Sequence, residues 1–381
     1  MITPAVYLDH HATTPVDPRV AAAVVDAMTT HFGNANSVQH VFGLAAARLV
    51  REAAGRVAAL IGSDADDVRF TSSATDALRL ALAYAVERRP GTPLRVLASP
   101  IEHPALLDEL ECGVRDGRLV VQWAAVDQDG LVLVPTIQEA LGHGVDLVCL
   151  MAANNEVGAI QPVQHVAALA FAAGAEILVD ASQAAGKIPL AAQTWGIDYL
   201  VVSSHKIYGP KGVGALVGPD LAGAPPPGGY ASHQATPNVP GIAGLGEACR
   251  ICALEMAVDE PRIAALRDHL QSLLLQGLSG AVVNGPLDQR LAANLHLSIP
   301  DVPNDAIVAQ LADTVALSTG AACVSGVDAP SHVLRAMALP EWRQDGALRI
   351  SLGRFTTMED IERAAELILA AVRALRALVR T

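Results

Sequence analysis

Short apolar segments rich in β-branched residues alternate with segments of helical periodicity through the first two-thirds of this sequence. Strands that alternate with helices pair in parallel, so the pattern predicts an α/β fold with a largely parallel sheet and helices on both of its faces. Ligands of such sheets bind near the carboxyl ends of the strands. The predicted strands are residues 68–71, 94–99, 119–124, 145–151, 176–180 and 199–203, and the helices between them are 75–87, 104–110 and 163–173.

A second unit is predicted towards the C-terminus. A long helical pattern covers residues 244–278, and strands at 293–299 and 348–352 and an amphipathic helix at 358–378 follow it. A chain of 381 residues exceeds what one hydrophobic core usually supports. We therefore expect two domains, with the long helix as the bridge between them.

Composition limits the compartment and the partners of this chain. The formal net charge of −13 at pH 7 repels phosphate backbones and anionic membranes, so we expect no direct binding to nucleic acid or to a membrane. The first residues do not resemble a secretory signal, and apolar stretches such as residues 77–86 are interrupted by charge. Five cysteines without the spacing of a disulfide framework fit a reducing compartment. We expect a cytoplasmic protein.

Lysine occurs three times, at Lys187, Lys206 and Lys211, against 23 arginines. A lysine retained against this bias is a candidate for chemistry that arginine cannot perform, because a desolvated lysine can lose its proton and form a Schiff base with a carbonyl. Lys206 ends a Ser-Ser-His-Lys segment directly after a predicted strand, which favours this interpretation. The alternative is an ordinary surface lysine before a Gly-Pro turn.

Two further polar segments follow predicted strands. Asp180 ends an apolar strand, where a buried carboxylate could keep a cofactor ring nitrogen protonated or could cap a helix. Residues 71–76 join a strand to a helix. Their hydroxyls and free N–H groups suit a phosphate, although an ordinary helix cap has the same composition.

Three residues elsewhere are candidates for contact with a cofactor or substrate. His103 could stack on an aromatic ring or transfer protons, or it could simply face solvent. Cys323 lies among small residues, which leaves its thiol approachable as a nucleophile, whereas a buried structural cysteine is the alternative. Arg349 lies in an apolar strand and needs an anion, either a substrate carboxylate or an internal partner.

The order and identity of these segments together resemble the cysteine desulfurases, which are class V, fold-type I pyridoxal-phosphate enzymes. The similarity runs nearly end to end, and residues 318–323 (STGAAC) resemble the group I form of the family. The other matching segments are residues 7–15 (YLDHHATTP), 32–34 (FGN), 154–158 (NNEVG), 204–212 (SHKIYGPKG) and 349–355 (RISLGRF).

The resemblance implies a large domain of residues 15–255 with a mostly parallel seven-stranded sheet. It implies a smaller α/β domain of residues 1–14 and 256–381 that carries the catalytic cysteine. It further implies that pyridoxal 5'-phosphate is the cofactor, that L-cysteine is converted to L-alanine, and that a persulfide forms on Cys323. The expected assembly is a homodimer that delivers sulfur to a protein acceptor, without a metal.

The resemblance also implies individual roles. Lys206 would bind the cofactor as a Schiff base and move protons, His103 would stack on the cofactor ring, and Cys323 would attack the substrate sulfur. Asp180 would pair with the ring nitrogen, and Gln183 would approach the ring hydroxyl. The remaining implied contacts are Ala74, Thr75, Ser203 and His205 at the cofactor and its phosphate, Thr236 at the phosphate of a partner subunit, Asn155 at the cofactor and the substrate carboxylate, and Arg349 at that carboxylate.

Residues 228–236 depart from the family pattern, because this segment is short and lacks the arginine of the usual Arg-x-Gly-Thr ending. Two alternatives to a desulfurase stay open at this point. One is a selenocysteine lyase or another class V enzyme, which would not need Cys323, and the other is a non-catalytic scaffold that binds the cofactor. Iron–sulfur cluster assembly, tRNA thiolation and DNA phosphorothioation all draw on desulfurases, and each is a possible pathway.

Overall fold

A seven-stranded sheet forms the centre of the computed structural model, which describes residues 5–219, 221, 223–225, 227, 236–320 and 331–379. Its strands are β2 (Val68–Thr71), β3 (Leu94–Ala98), β4 (Leu119–Trp123), β5 (Leu147–Met151), β6 (Glu176–Asp180), β7 (Tyr199–Ser203) and β8 (Gly214–Val217). The strand order is β2-β8-β7-β6-β5-β3-β4. Strand β8 is antiparallel to both of its neighbours, and all the other pairs are parallel. The predicted α/β fold class is confirmed.

Helices cover the sheet and also pack beside two smaller sheets. Two single-turn 3₁₀ helices, Ala65–Asp67 and Ser204–Lys206, accompany them. The α-helices are α1 (Pro18–Thr29), α2 (Val41–Ile61), α3 (Ala74–Glu87), α4 (Pro104–Arg115), α5 (Val134–Gly142), α6 (Val163–Ala172), α7 (Ala192–Trp195), α8 (Val239–Gly277), α9 (Asn304–Leu311), α10 (His332–Ala336), α11 (Glu341–Asp345) and α12 (Met358–Val379). None of the helices in the described part of the chain is long and apolar enough to span a bilayer.

The two faces of the central sheet carry separate hydrophobic clusters. Every side chain of β5 is buried, and successive side chains point to opposite faces. Val148 and Leu150 pack into the cluster that includes α2 and α6, whereas Leu147 and Cys149 pack into the cluster that includes α3 and α4. A sheet covered on both faces explains why its strands are continuously apolar in the sequence.

A third cluster forms around two small sheets. Strands β9 (Val282–Val283), β10 (Asn294–Ser298) and β12 (Ala347–Ser351) pair antiparallel in the order β12-β10-β9. Strands β1 (Val6–Tyr7) and β11 (Val315–Ala316) pair in parallel. Residues from α12 and from the N-terminal Val6 and Leu8 share this cluster.

Helix α8 contributes to two of these clusters. Its N-terminal half, including Leu245 and Ile251, packs into the cluster of the seven-stranded sheet, and its C-terminal half, including Leu266 and Leu270, packs into the cluster of the small sheets. Pro261 lies between the two halves. The helix begins at Val239, five residues earlier than the sequence pattern predicts, because Asn238 caps it by accepting a hydrogen bond from Gly241 N at 3.1 Å.

Candidate active site

A cavity of about 600 Å³ lies at the carboxyl ends of β5, β6 and β7. Most of the residues singled out in the sequence meet there. Thr236 does not line this cavity and is exposed, and Cys323 lies outside the described residues, although Leu317, Ser318 and Thr319 of the segment leading to it line the wall. The predicted site residues that line the cavity are Ala74, Thr75, His103, Asn155, Asp180, Gln183, Ser203, His205, Lys206 and Arg349.

Lys206 lies on the 3₁₀ turn that follows β7. Its Nζ donates hydrogen bonds to the backbone carbonyls of His11 at 2.5 Å and Ala12 at 2.9 Å. Burial, followed by the positive charge of Lys187, lowers the pKa of Lys206 to about 7. A large share of this amine is therefore uncharged at neutral pH, which a nucleophilic lysine requires.

The N-terminal segment fixes the turn that carries Lys206. Thr14 donates to the carbonyl of His205 from its backbone N at 2.9 Å and from its hydroxyl at 3.0 Å. The hydroxyl also accepts a hydrogen bond from Tyr208 N at 2.8 Å, and Tyr208 has a left-handed backbone with φ of 66°. These contacts hold an otherwise unfavourable loop conformation in place.

Asp180 is the last residue of β6 and is buried, with 7% of its surface exposed. Its Oδ1 accepts a hydrogen bond from Ser182 N at 2.9 Å. The carboxylate therefore lines the cavity with one oxygen fixed by the backbone. It does not cap a described helix, so the helix-cap alternative does not apply here.

The N-terminus of α3 forms another part of the cavity wall. Ser73 is the N-cap, and its Oγ accepts a hydrogen bond from Asp76 N at 3.1 Å. Ala74 and Thr75 follow in the first turn, where N–H groups have no acceptor within a helix. Ser203 and His205 line the same cavity. The segment is thus a capped helix start whose free N–H groups have the chemistry that suits an anion.

His103 is the N-cap of α4, where its Nδ1 accepts a hydrogen bond from Ala105 N at 3.1 Å. Burial lowers the pKa of His103. A neutral imidazole that accepts at Nδ1 carries its proton on Nε2. Burial, with the adjacent Lys206, also lowers the pKa of His205 to about 4. The rings of His103 and His205 are therefore neutral at physiological pH.

The guanidinium of Arg349 on β12 meets two oxygen atoms. Its Nη2 pairs with Asp9 Oδ1 at 2.9 Å, and its Nη1 donates to the carbonyl of Asn155 at 3.1 Å. Its side chain is only 6% exposed. Asp9 was not singled out in the sequence as a functional residue, although it lies in the motif at residues 7–15. The sequence left open whether Arg349 binds a substrate carboxylate or an internal anion. Asp9 is such an internal anion.

The sequence analysis also did not identify several other groups in and around the site. The carbonyls of His11 and Ala12 hold Lys206, and no side-chain pattern could have revealed a backbone contact. Glu102 is fully buried beside His103, and its Oε1 accepts a hydrogen bond from Met151 N at 2.8 Å. Burial raises the pKa of Glu102 to about 8, so this carboxyl is largely protonated at neutral pH.

The residues present fit pyridoxal phosphate. An amine of lowered pKa, a buried carboxylate and a helix N-terminus with adjacent hydroxyls supply the groups that its aldehyde, ring nitrogen and phosphate require. Among the described residues, four polar atoms on cavity-lining side chains are buried and have no hydrogen-bond partner: His11 Nε2, Asn155 Oδ1, Ser182 Oγ and Arg349 Nε. Buried polar atoms without partners indicate that a polar ligand completes the site.

Comparison with known proteins identifies the class of the enzyme. The family model described as aminotransferase class-V matches residues 6–364, and the chain belongs to this family. Enzymes of this family depend on pyridoxal phosphate, so the predicted cofactor is confirmed.

Within the family, the chain is similar to cysteine desulfurases. It is 38% identical to the cysteine desulfurase IscS of Anaeromyxobacter sp. (strain Fw109-5), over 97% of this chain and 93% of that protein. It is 40% identical to a cysteine desulfurase of Frankia sp. (strain EuIK1), over 98% of this chain and 92% of that protein. The solved structure of a NifS-like protein superposes with a TM-score of 0.88 at 31% identity, covering 97% of this chain and all of that one. The chain belongs to the cysteine desulfurases, and the predicted family is confirmed.

Proposed function

We propose that this protein converts L-cysteine to L-alanine and passes the sulfur, as a persulfide on Cys323, to a protein acceptor. The observation that carries the proposal is the cavity in which Lys206, with its lowered pKa, lies together with Asp180 and Arg349. The membership in the cysteine desulfurases selects cysteine as the substrate among the amino acids that such a site could accept.

Each side chain has a distinct task in this proposal. Bound pyridoxal phosphate supplies a ring that spreads the negative charge formed at the substrate Cα. Asp180 would keep the ring nitrogen protonated, because a carboxylate favours the charged form of that nitrogen. Arg349 and Asn155 hold the substrate carboxylate. Lys206 Nζ takes the proton from the substrate Cα and returns a proton when alanine forms.

Further contacts position the cofactor. Neutral His103 would lie against the ring, and Gln183 would approach the ring hydroxyl. In the structure Gln183 Nε2 donates to the His11 carbonyl at 2.9 Å, which leaves its second N–H for that contact. The first turn of α3, with Ser203 and His205, would bind the phosphate, and Thr236 would contact the phosphate of a partner subunit.

The sulfur-transfer step balances without an external oxidant. The Cys323 thiolate forms a bond to the substrate sulfur while the substrate Cβ–S bond breaks, and the electron pair of that bond stays on the alanine carbon skeleton. Two protons complete alanine there, so one cysteine and one thiol give one alanine and one persulfide. This step requires the thiol of Cys323 and no other cysteine.

We propose a homodimer in the cytoplasm. Soluble monomers rarely expose large contiguous apolar surface, and Phe32 and Phe42, which are 66% and 52% exposed, stack with ring centroids 5.5 Å apart. Met28 and Val41, which precede Phe32 and Phe42 closely in the sequence, are exposed as well. The mass in solution, measured by light scattering, tests this assembly. The division into residues 15–255 and residues 1–14 with 256–381 remains a prediction.

The decisive experiment measures alanine and sulfide from L-cysteine with a reducing thiol present. We expect a visible absorbance band in the wild type that Lys206→Ala abolishes. Cys323→Ser should keep the band but stop sulfide release, whereas Cys112→Ser, at a partly buried cysteine on α4, should keep both. Unimpaired turnover in Cys323→Ser would instead support an enzyme of the selenocysteine lyase type. A band without alanine formation would support a scaffold.

A further inference from the structure

A second lysine lies next to the candidate site and has no role in the mechanism above. Lys187 follows β6 by seven residues, and its Nζ donates a hydrogen bond to Gln183 Oε1 at 2.9 Å. Gln183 Nε2 donates in turn to the carbonyl oxygen of His11 at 2.9 Å, and Lys206 Nζ donates to that same oxygen at 2.5 Å. One amide side chain and one carbonyl therefore connect the two lysines.

The two lysines also share a second, much smaller cavity. Its volume is about 10 Å³, roughly that of a single water molecule. Cys252 and Glu260 of α8 line it together with His11. Little water can enter such a space, so a charge on Lys187 acts on Lys206 with weak dielectric screening.

We propose that Lys187 is a positioning residue for Lys206. Its ammonium group orients Gln183 and, through its charge, disfavours a proton on the Lys206 nitrogen. Lys206 is thereby kept ready to react with the cofactor and to accept a proton from the substrate. The inference rests on the proposed function, because it presupposes the Schiff-base role of Lys206.

The other groups around Lys187 leave its charge as the dominant nearby influence. Burial lowers the pKa of His10 to about 4 and lowers the pKa of His11, so both rings are neutral, and burial raises the pKa of the Cys252 thiol. Arg354 and Asp259 pair with each other at 2.7 Å.

Glu260 is the group that opposes Lys187. Burial raises the pKa of Glu260 to about 7, against the attraction of Lys187. Burial lowers the pKa of Lys187 to about 8, with Glu260 opposing. The ammonium form of Lys187 therefore predominates at neutral pH, whereas Glu260 is only partly ionised.

The sign of the effect is the same for either state of Glu260. When Lys187 is replaced by a neutral side chain, Glu260 either takes up a proton or stays ionised. The first case removes the charge of Lys187, which is the leading charge acting on Lys206, together with the weaker influence of Glu260. The second case leaves the negative charge of Glu260 uncompensated. Both raise the pKa of the Lys206 nitrogen.

The test is a pH titration of the visible absorbance of the full-length holoenzyme. We expect Lys187→Met to raise the pH midpoint of the band by roughly one unit. Lys187→Arg keeps the charge and should keep the midpoint near that of the wild type. Lys211→Met makes the same substitution at an exposed lysine and should leave the midpoint in place. A structural role alone would lower the melting temperature without moving the midpoint.

A double variant keeps the test possible if Lys187→Met does not fold. Lys187→Met combined with Glu260→Gln leaves no unpaired buried carboxylate and should fold where the single variant does not. It should raise the midpoint as well. An unchanged midpoint in the folded variants overturns this inference. A wild type whose band does not depend on Lys206 overturns the proposed function instead.

Discussion

At the scale of single residues, burial gives charged side chains their chemical roles. Arg349 exchanges water for two protein oxygens, those of Asp9 and Asn155, and one buried nitrogen, Nε, has no partner among the described residues. A guanidinium held in this way presents a fixed fork to a carboxylate. In the proposed function, its position is set before the substrate arrives, which would lower the entropic cost of binding.

Arg349→Ala should lower kcat/KM for L-cysteine by about 100-fold, because one charge-assisted hydrogen-bond pair of about 2–3 kcal/mol is lost. The visible band should persist, since the contacts proposed for the cofactor are made by other residues. Steady-state alanine formation and an absorbance spectrum measure the two effects.

Arg349→Lys should recover only part of the loss, because an ammonium group lacks the planar fork. Arg335→Ala removes an exposed arginine of α10 and serves as the matched control. A kcat/KM for Arg349→Ala equal to that of the control would exclude a contact between Arg349 and the substrate.

At the scale of elements, the proposed phosphate site depends on how closely β8 approaches the start of α3. A Cβ on Gly214 would lie 2.9 Å from Ser73 C, 2.9 Å from Val202 O and 3.1 Å from Ala74 N. These are backbone atoms, which cannot rotate away. Only glycine allows this approach, and the approach brings the first turn of α3 to the end of β7.

Gly214→Ala should therefore destabilise the protein by about 1–3 kcal/mol and weaken the affinity for pyridoxal phosphate. Gly55→Ala, in the middle of α2 with no atom within 4 Å of the added Cβ, should stabilise the protein by about 0.5–1 kcal/mol and leave that affinity unchanged. Thermal melts and cofactor titrations compare the two. A cofactor affinity equal to that of the wild type in Gly214→Ala would refute the link between β8 and the phosphate site.

Some strands and helices were not predicted from the sequence, for identifiable reasons. Strand β8 has four residues, begins with glycine and follows a Gly-Pro-Lys-Gly turn, so local periodicity does not mark it. Helices α1 and α2 were not predicted, although Asp17 and His40 cap them. By contrast, β5, β6 and β7 were predicted within two residues, because strands covered on both faces carry a continuous apolar signal.

At the scale of the whole molecule, buried carboxyls make stability depend on pH. Burial raises the pKa of Glu102 to about 8 and that of Glu156 to about 7, from an ordinary value of 4.5. The folded state holds these protons more tightly than the unfolded chain. Their contribution to stability is therefore complete below about pH 4.5, declines as the pH rises, and is lost above the folded-state pKa values.

Glu102→Gln should be less sensitive to alkaline pH than the wild type. The amide oxygen can still accept the hydrogen bond from Met151 N, and it has no proton to lose. Relative to the wild type, the free energy of unfolding should rise by a few kcal/mol between about pH 4.5 and 8. Urea unfolding at a series of pH values measures this difference. Glu87→Gln removes an exposed carboxyl for comparison, and parallel curves for wild type and Glu102→Gln would contradict the expectation.

The sequence by itself determined the alternating strands and helices, and with them the parallel sheet and the strand ends where Asp180 and Lys206 lie. These features follow from short-range periodicity and burial, which neighbouring residues encode. Tertiary structure alone decided the surroundings of those residues. The carbonyl that holds Lys206 is 195 residues away in the chain, and the carboxylate that pairs with Arg349 is 340 residues away. Such contacts, and the burial that lowers the pKa of Lys206, exist only after packing brings distant segments together and excludes water.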